Sequence, residues 1–286
     1  MLNTTSPDVP IFTRSRELLH ADARATALRF PVNTSLRSYE KEAGELLAAK
    51  LDWERDIFHR IVATPAFEAA VANFVRSTFL KLTHLRPGDW EIRTTAEHEF
   101  VRVVDFPEYE HVKRVCAKAA TDSDLRAVLG GDYLIAPDVV VLRTAEPDEV
   151  LNQPGAIVDA GSARLAPLRA ANTQGPRVRF LHASLSCKWT LRSDRAQNAR
   201  SEALNLLRNR KGHSPHIVAI TAEPLPSRLS SLALGMSDLD CTYHIALQEL
   251  QAAVEEVHPD QLDILQMLVE GRRLRDISDL PLDLAV

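Results

Sequence analysis

Long apolar runs are missing from this 286-residue chain. No stretch approaches the roughly 18 residues that a membrane helix needs, so no membrane partner is expected. Cysteine is scarce too: Cys116, Cys187 and Cys241 are odd in number and far apart. That argues against a disulfide scaffold and a structural zinc, and for a reducing, cytoplasmic setting. Residues 1–8 lack a basic region followed by an apolar one, so no secretory signal is expected. There is no internal repeat and no low-complexity tract. Excess positive charge is absent as well; the formal net charge of −5 gives no hint of a polyanionic partner. The 45% hydrophobic and 26% charged content is that of an ordinary soluble globular protein.

What the chain does have is charge unevenly placed. Between residues 177 and 228 ten basic residues meet three acidic ones, a net of +7 that leaves −12 for the remainder. A basic patch on an acidic protein suits a localised DNA-binding face. Within it, residues 180–191 alternate: Leu181, Ala183, Leu185, Cys187 and Trp189 point one way, His182, Ser184, Ser186, Lys188 and Thr190 the other. The period of two predicts a strand with one packed and one polar face, and Lys188 lies on the polar one. Ser193 then predicts a helix N-cap. Ala196, Ala199, Ala203, Leu206 and Leu207 continue as a helical stripe that Gly212 stops. Glu202 lies two turns in, about 10 Å from the helix start at 1.5 Å per residue, from where it can point back toward Lys188.

Elsewhere, residues 1–35 show little regular pattern and are expected to be an arm or loops, and 36–62 look helical. Thr64 and Pro65 predict a helix start, with Phe67, Val71, Phe74, Val75, Phe79 and Leu82 as its apolar stripe. Glu68 sits at the border of that stripe and is expected to be partly exposed. A strand over 90–104, a helix over 108–129 and a β-branched strand over 133–142 follow. Residues 143–178 read as a long irregular connection, of a length that is usually functional or holds an interface. A short buried strand over 217–221 ends in a turn-rich segment at 223–228, which places Arg228 on a loop, and 240–272 reads as helical. Helices mixed with several strands imply an α/β or α+β domain.

The chemistry-bearing residues come from separate elements. Asp138, just after Pro137, stands on one expected strand and Lys188 on another; Glu68 and Glu202 come from helices. Hydrolysing a phosphodiester calls for a carboxylate-held divalent cation that polarises the phosphate and lowers the pKa of the attacking water. Mg²⁺ suits the task because it prefers oxygen ligands and keeps waters and substrate phosphates in its shell. A nearby lysine can orient the nucleophile or offset charge building on phosphorus. Asp138 with Lys188 resembles the PD…(D/E)xK nuclease pattern, with one departure. Ser186, rather than an acid, stands two residues before the lysine, and Glu202 could supply the displaced carboxylate.

The run Ser-Cys-Lys-Trp-Thr-Leu-Arg-Ser-Asp-Arg-Ala-Gln-Asn-Ala-Arg-Ser-Glu at 186–202 resembles the core of the NgoMIV-like type II restriction endonucleases, which recognise CCGG-centred sites. The similarity extends through His-Leu-Arg-Pro-Gly-Asp-Trp at 84–90, Pro137 with Asp138, Asn-Arg-Lys-Gly at 209–212, residues 222–228 and the ending at 276–286. It covers most of the chain from about residue 60. The resemblance implies a restriction-endonuclease-like α/β fold, a central mixed β-sheet flanked by helices. One domain over 1–286 is expected, with an N-terminal arm or helical region at 1–60 and a catalytic and DNA-recognition core at 61–286.

The same resemblance implies a catalytic group of Glu68, Asp138, Ser186, Lys188 and Glu202. Asp138 and the backbone carbonyl of Cys187 would ligate Mg²⁺, so Cys187 is no thiol nucleophile. Arg192, Ser193, Asp194 and Arg195 are implied as readers of the CCGG centre, and Arg228 of the outer base pair. That assignment is chemically apt, because arginine bonds bidentately to guanine O6 and N7 and aspartate accepts from cytosine N4. The implied reaction is Mg²⁺-dependent hydrolysis of double-stranded DNA at GCCGGC, after the first G, leaving 5′ overhangs. A palindrome implies at least a two-fold dimer. The family adds a homotetramer, a dimer of dimers, and a cognate DNA methyltransferase; the long 143–178 connection is the candidate for the contact between dimers. The rivals are a nuclease of this fold with other specificity and a DNA-binding protein without catalysis. The full set Glu68, Asp138, Lys188 and Glu202 speaks against the second.

Overall fold

The computed structural model describes residues 9–94, 102–122, 124, 136–172, 178–191, 193–234, 238–257 and 259–286, with 193–196 and 257 described by backbone alone. Six strands make one sheet in chain order: β1 Trp90–Thr94, β2 Val139–Thr144, β3 Arg179–Lys188, β4 His216–Thr221, β5 Cys241–His244 and β6 Leu274–Asp276. β1, β2 and β3 pair antiparallel, whereas β3 to β6 run parallel. The helices are α1 Ile11–Ala27, α2 Ser38–Lys50, α3 Thr64–Thr78, α4 Glu110–Ala119, α5 Asp148–Leu151, α6 Ser193–Asn209, α7 Pro226–Ala233, α8 Leu247–Val257, α9 Pro259–Glu270 and α10 Leu280–Asp283. Parallel neighbours need crossovers, and α6, α7 and the α8–α9 pair supply them. The mixed, helix-flanked α/β sheet is the expected fold.

The sheet is buried on both faces. Val139, Val140, Val141 and Leu142 of β2 are all buried, an unbroken apolar run suited to a strand covered on each side. Just after β3 the rings of Phe58 and Phe67 lie against Trp189, so the Cys187 side of the strand faces α3. On the other side Ser184 and Ser186 are buried rather than wet, and Glu202 of α6 comes close enough to act on Lys188. The expected alternation slips at His182, beside a register shift between β2 and β3. There the ring sits among Phe79, Trp90 and His216.

The predicted stripe of α3 is buried from Phe67 to Leu82. Thr64 is the first residue of that helix, not a side-chain cap, and Pro65 occupies the first turn. Other expectations change. Residues 11–27 form α1 instead of an arm or loops: Ser15, Leu19, Ala23 and Ala27 make its buried face. The helix expected over 36–62 stops at Lys50, where a turn with Asp52 at φ 55 leads into a 3₁₀ turn at Ile57–His59. Residues 241–244 are strand β5, because Tyr243 pairs with both Ile220 and Arg275. The strand expected over 90–104 is seen to Thr94, but Val103–Asp105 is a 3₁₀ turn and not strand; the helix over 108–129 is seen as Glu110–Ala119, and the strand over 133–142 from Val139. Residues 95–101, 123, 125–135 and 173–177 of those stretches and of the 143–178 connection lie outside the described residues.

One apolar cluster runs from Leu19 on α1 to Leu284 beside α10. α1 is fastened to the other end of the chain: Arg16 bridges to Glu249 of α8 and Asp276 of β6, and His20 Nε2 meets the Ile245 carbonyl at 2.6 Å. Among the described residues no helix is long and apolar enough to cross a membrane.

Candidate active site

Antiparallel pairing sets the start of β2 beside the end of β3. Val139 faces Leu185, so Asp138 arrives at the edge where Lys188 closes its strand. This is also the C-terminal edge of the parallel strands, where open α/β sheets hold ligands. Asp138 Oδ2 accepts from the Cys187 backbone N–H at 2.7 Å and from Lys188 Nζ at 2.8 Å. The two side chains are 15% and 13% exposed, sheltered yet open to a substrate.

The electrostatics keep Lys188 charged. Burial opposes its ammonium, but Asp138 and Glu202 together outweigh burial and hold its pKa above the ordinary lysine range. Burial pushes Glu202 up; Lys188 pulls it back and Asp138 adds to the rise. Burial and the Asp138 charge raise the Cys187 thiol far out of reach, which removes it as a nucleophile at neutral pH.

The structure therefore gathers Asp138, Lys188 and Glu202 on the α6 side of the sheet edge. Glu68 approaches from the α3 side, near enough for its charge to act on Cys187. It is only 2% exposed, not partly exposed as its place on the stripe border predicts, because β1 to β3 cover that border. Ser186 Oγ is buried and has no hydrogen-bond partner among the described residues.

The base-reading candidates are less complete. Arg192 lies outside the described residues, and Ser193, Asp194 and Arg195 are described only as the backbone of the first turn of α6. Arg228 does not stand on a loop: it is in the first turn of α7, since Pro226 starts that helix without losing a needed N–H. Its guanidinium pairs with Glu40 of α2, and Glu223 Oε1 lies 3.7 Å from its Nη1. These groups share a cleft of about 210 Å³ with Arg60 and Thr190, so residues before 60 take part in this face.

Two acids went unrecognised in the sequence. Glu223 is fully buried; its Oε2 accepts the Leu191 N–H at 2.6 Å and its Oε1 the Leu225 N–H at 3.1 Å. Burial pushes its carboxyl up to about 8, against the pull of those two donors. Its signal was an acid in a proline-rich turn directly after an apolar strand. Glu40 carried no signal beyond its place on a charged helix.

Among the described residues no three His, Cys, Asp or Glu side chains converge into a ready-made cation cage. The donor set still fits Mg²⁺, which keeps several waters and binds through one or two carboxylates plus substrate phosphates. Both hydrogen bonds to Asp138 fall on Oδ2, which leaves Oδ1 for a cation, and the orphaned Ser186 hydroxyl adds an oxygen nearby.

A sequence model of the NgoMIV restriction enzyme family matches residues 43–286. The type II restriction enzyme NgoMIV of Neisseria gonorrhoeae is 44% identical over 289 residues, covering 97% of this chain and 99% of that enzyme. The similarity thus reaches well before residue 60, into the region that carries Glu40. With the geometry of Asp138 and Lys188 and a match of this extent, the chain belongs to the NgoMIV restriction enzyme family, the type II restriction endonucleases.

Proposed function

We propose that the enzyme hydrolyses double-stranded DNA at GCCGGC, after the first G, leaving 5′ overhangs and requiring Mg²⁺. The observation that carries this reading is the Asp138–Lys188 pair at the β2–β3 edge, followed directly by the helix start that holds Asp194 and Arg195. Asp138 and the Cys187 carbonyl would hold Mg²⁺, which when bound polarises the scissile phosphate and lowers the pKa of the attacking water. Lys188, kept protonated by its two acidic neighbours, offsets the negative charge that builds on the phosphate. Glu202 supplies the carboxylate that Ser186 lacks, Ser186 adds its hydroxyl, and Glu68 completes the acidic cluster from the α3 side.

Arg192, Ser193, Asp194 and Arg195 read the CCGG centre in the major groove, and Arg228 reads the outer G·C pair. The single domain of 1–286 acts as a dimer of dimers. Leu165 at 95% exposure, with Ile157 and Val150 also exposed on the 143–178 connection, supports that connection as the contact between dimers. The enzyme works in the cytoplasm beside a cognate DNA methyltransferase. Incubation with Mg²⁺ and plasmids that carry or lack GCCGGC tests the reading. Fragments only from the first plasmid are expected, with five-prime extensions on their ends. Cutting of both refutes the specificity, and tight binding without cutting refutes the catalytic assignment.

A further inference from the structure

We infer that Glu223 is a positioning residue for sequence discrimination: one buried carboxylate fixes the start of α6 relative to the start of α7. This rests on the reading above, in which both helix starts face the bases. Leu191, whose N–H meets Oε2, immediately precedes Arg192; Leu225, whose N–H meets Oε1, immediately precedes Pro226. The Leu225 carbonyl then accepts from the Arg228 and Leu229 N–H groups at 3.0 and 3.1 Å, so the tether continues into the first turn of α7. Arg228 Nη1, at 3.7 Å from Oε1, ends the chain of contacts.

The carboxylate is itself immobilised. Glu223 donates its own N–H to Thr221 Oγ1 at 3.1 Å, and its carbonyl meets His244 Nε2 at 3.2 Å. The neighbouring Ala222 N–H donates to the Trp189 carbonyl at 3.1 Å, which sews the two loops together a second time. A carboxyl group keeps an acceptor lone pair on each oxygen, so one side chain can receive both backbone N–H groups. An amide has one acceptor oxygen and turns an NH₂ group toward the other backbone N–H. Base-edge contacts tolerate only about 0.5 Å of misplacement, whereas contacts to phosphates are more forgiving. Losing one tether therefore harms discrimination more than DNA binding.

The test compares kcat/KM on a GCCGGC duplex with duplexes changed at one central or one outer base pair. Wild type and Glu223→Gln are measured, with thermal denaturation alongside. The discrimination ratio is expected to fall by about tenfold or more at both positions, with DNA binding within a few-fold of wild type. A loss of activity in equal proportion on all duplexes, ratios unchanged, marks a merely structural role and overturns the inference. A fall confined to the outer pair also overturns it, because Glu223 would then serve Arg228 alone. If wild type fails to discriminate, the specificity reading fails and takes this inference with it; the wild-type ratio separates the two failures. Should Glu223→Gln not fold, Thr221→Val removes only the hydroxyl that receives the Glu223 N–H. It is expected to lower both ratios in the same direction, and unchanged ratios overturn the inference.

Discussion

Replacing Lys188 with methionine removes the ammonium at the centre of the site and keeps most of the aliphatic stem. Asp138 Oδ2 is then left with the Cys187 N–H alone. At 2.8 Å and an effective dielectric of about 20, the attraction lost is on the order of 6 kcal/mol. Most of that is offset by the water both groups gave up on folding. A charge-assisted hydrogen bond has a net worth of about 1.5–3 kcal/mol. At about 2 °C per kcal/mol for a chain this size, Tm is expected to fall by about 3–6 °C. The catalytic loss is larger, because removing one group that stabilises transition-state charge costs about 10²–10³ in kcat. Single-turnover cleavage of a GCCGGC plasmid reads the rate, anisotropy on the same duplex reads binding, and thermal denaturation of Lys188→Met, Asp138→Asn and the double variant reads the coupling. Cleavage by Lys188→Met within about tenfold of wild type would refute the role of the ammonium. Stability losses that simply add in the double variant would show that the pair is not coupled.

Three further outcomes follow from particular groups. Ser186→Ala deletes a buried hydroxyl without a partner among the described residues. Because such a group costs about 1–3 kcal/mol, the variant is expected to match or exceed wild type in urea denaturation while cutting more slowly; a clear stability loss contradicts this. Glu40→Gln keeps an oxygen for the Arg37 N–H but frees Arg228 of its counter-charge. DNA binding measured by anisotropy is expected to tighten about two- to fivefold, the worth of an ion pair of about 1 kcal/mol or less, and weaker binding refutes the competition. Burial holds His244 down to about 4 from 6.5, so its stabilising contribution is complete above pH 6.5 and is lost as pH falls through about 4. Glu223, raised from 4.5 to about 8, acts in the opposite sense: its contribution is complete below pH 4.5 and lost as pH rises through about 8. The difference between wild type and His244→Gln isolates the histidine; it is expected to shrink from pH 7 to 4.5 at up to about 1.4 kcal/mol per pH unit. A pH-independent difference refutes the assignment of the neutral ring.

Strong periodicity was readable where large apolar residues recur, as in α3, and where polar and apolar residues alternate, as in β3. α1 escaped because its buried face is built from Ser15, Ala23 and Ala27 around a single Leu19, and small residues carry little hydrophobic signal. β5 escaped because four residues are too few to show a period against the helices that follow. Proline misled at Arg228: Pro224 and Pro226 read as a turn, yet proline is welcome in a first helical turn. Asp138 and Lys188 could be named from their residue types, but their contact depends on the antiparallel register of β2 and β3. Glu223 shows in the sequence only as an acid in a proline-rich turn; its role is not legible there, since its partners are backbone N–H groups, which every residue but proline carries.

The strand order of the sheet has a consequence for synthesis. Each strand from β2 onward docks on the strand made just before it, so the sheet can extend from the N-terminal side as the chain emerges. Asp138 meets Lys188 as soon as β3 arrives, before α7 exists. α1, the first described helix to be synthesised, packs mainly on α3, but its Arg16 needs Glu249, 233 positions away. One side of α1 can therefore close on α3 early in synthesis, and the ion pair from Arg16 can form only once α8 has been made.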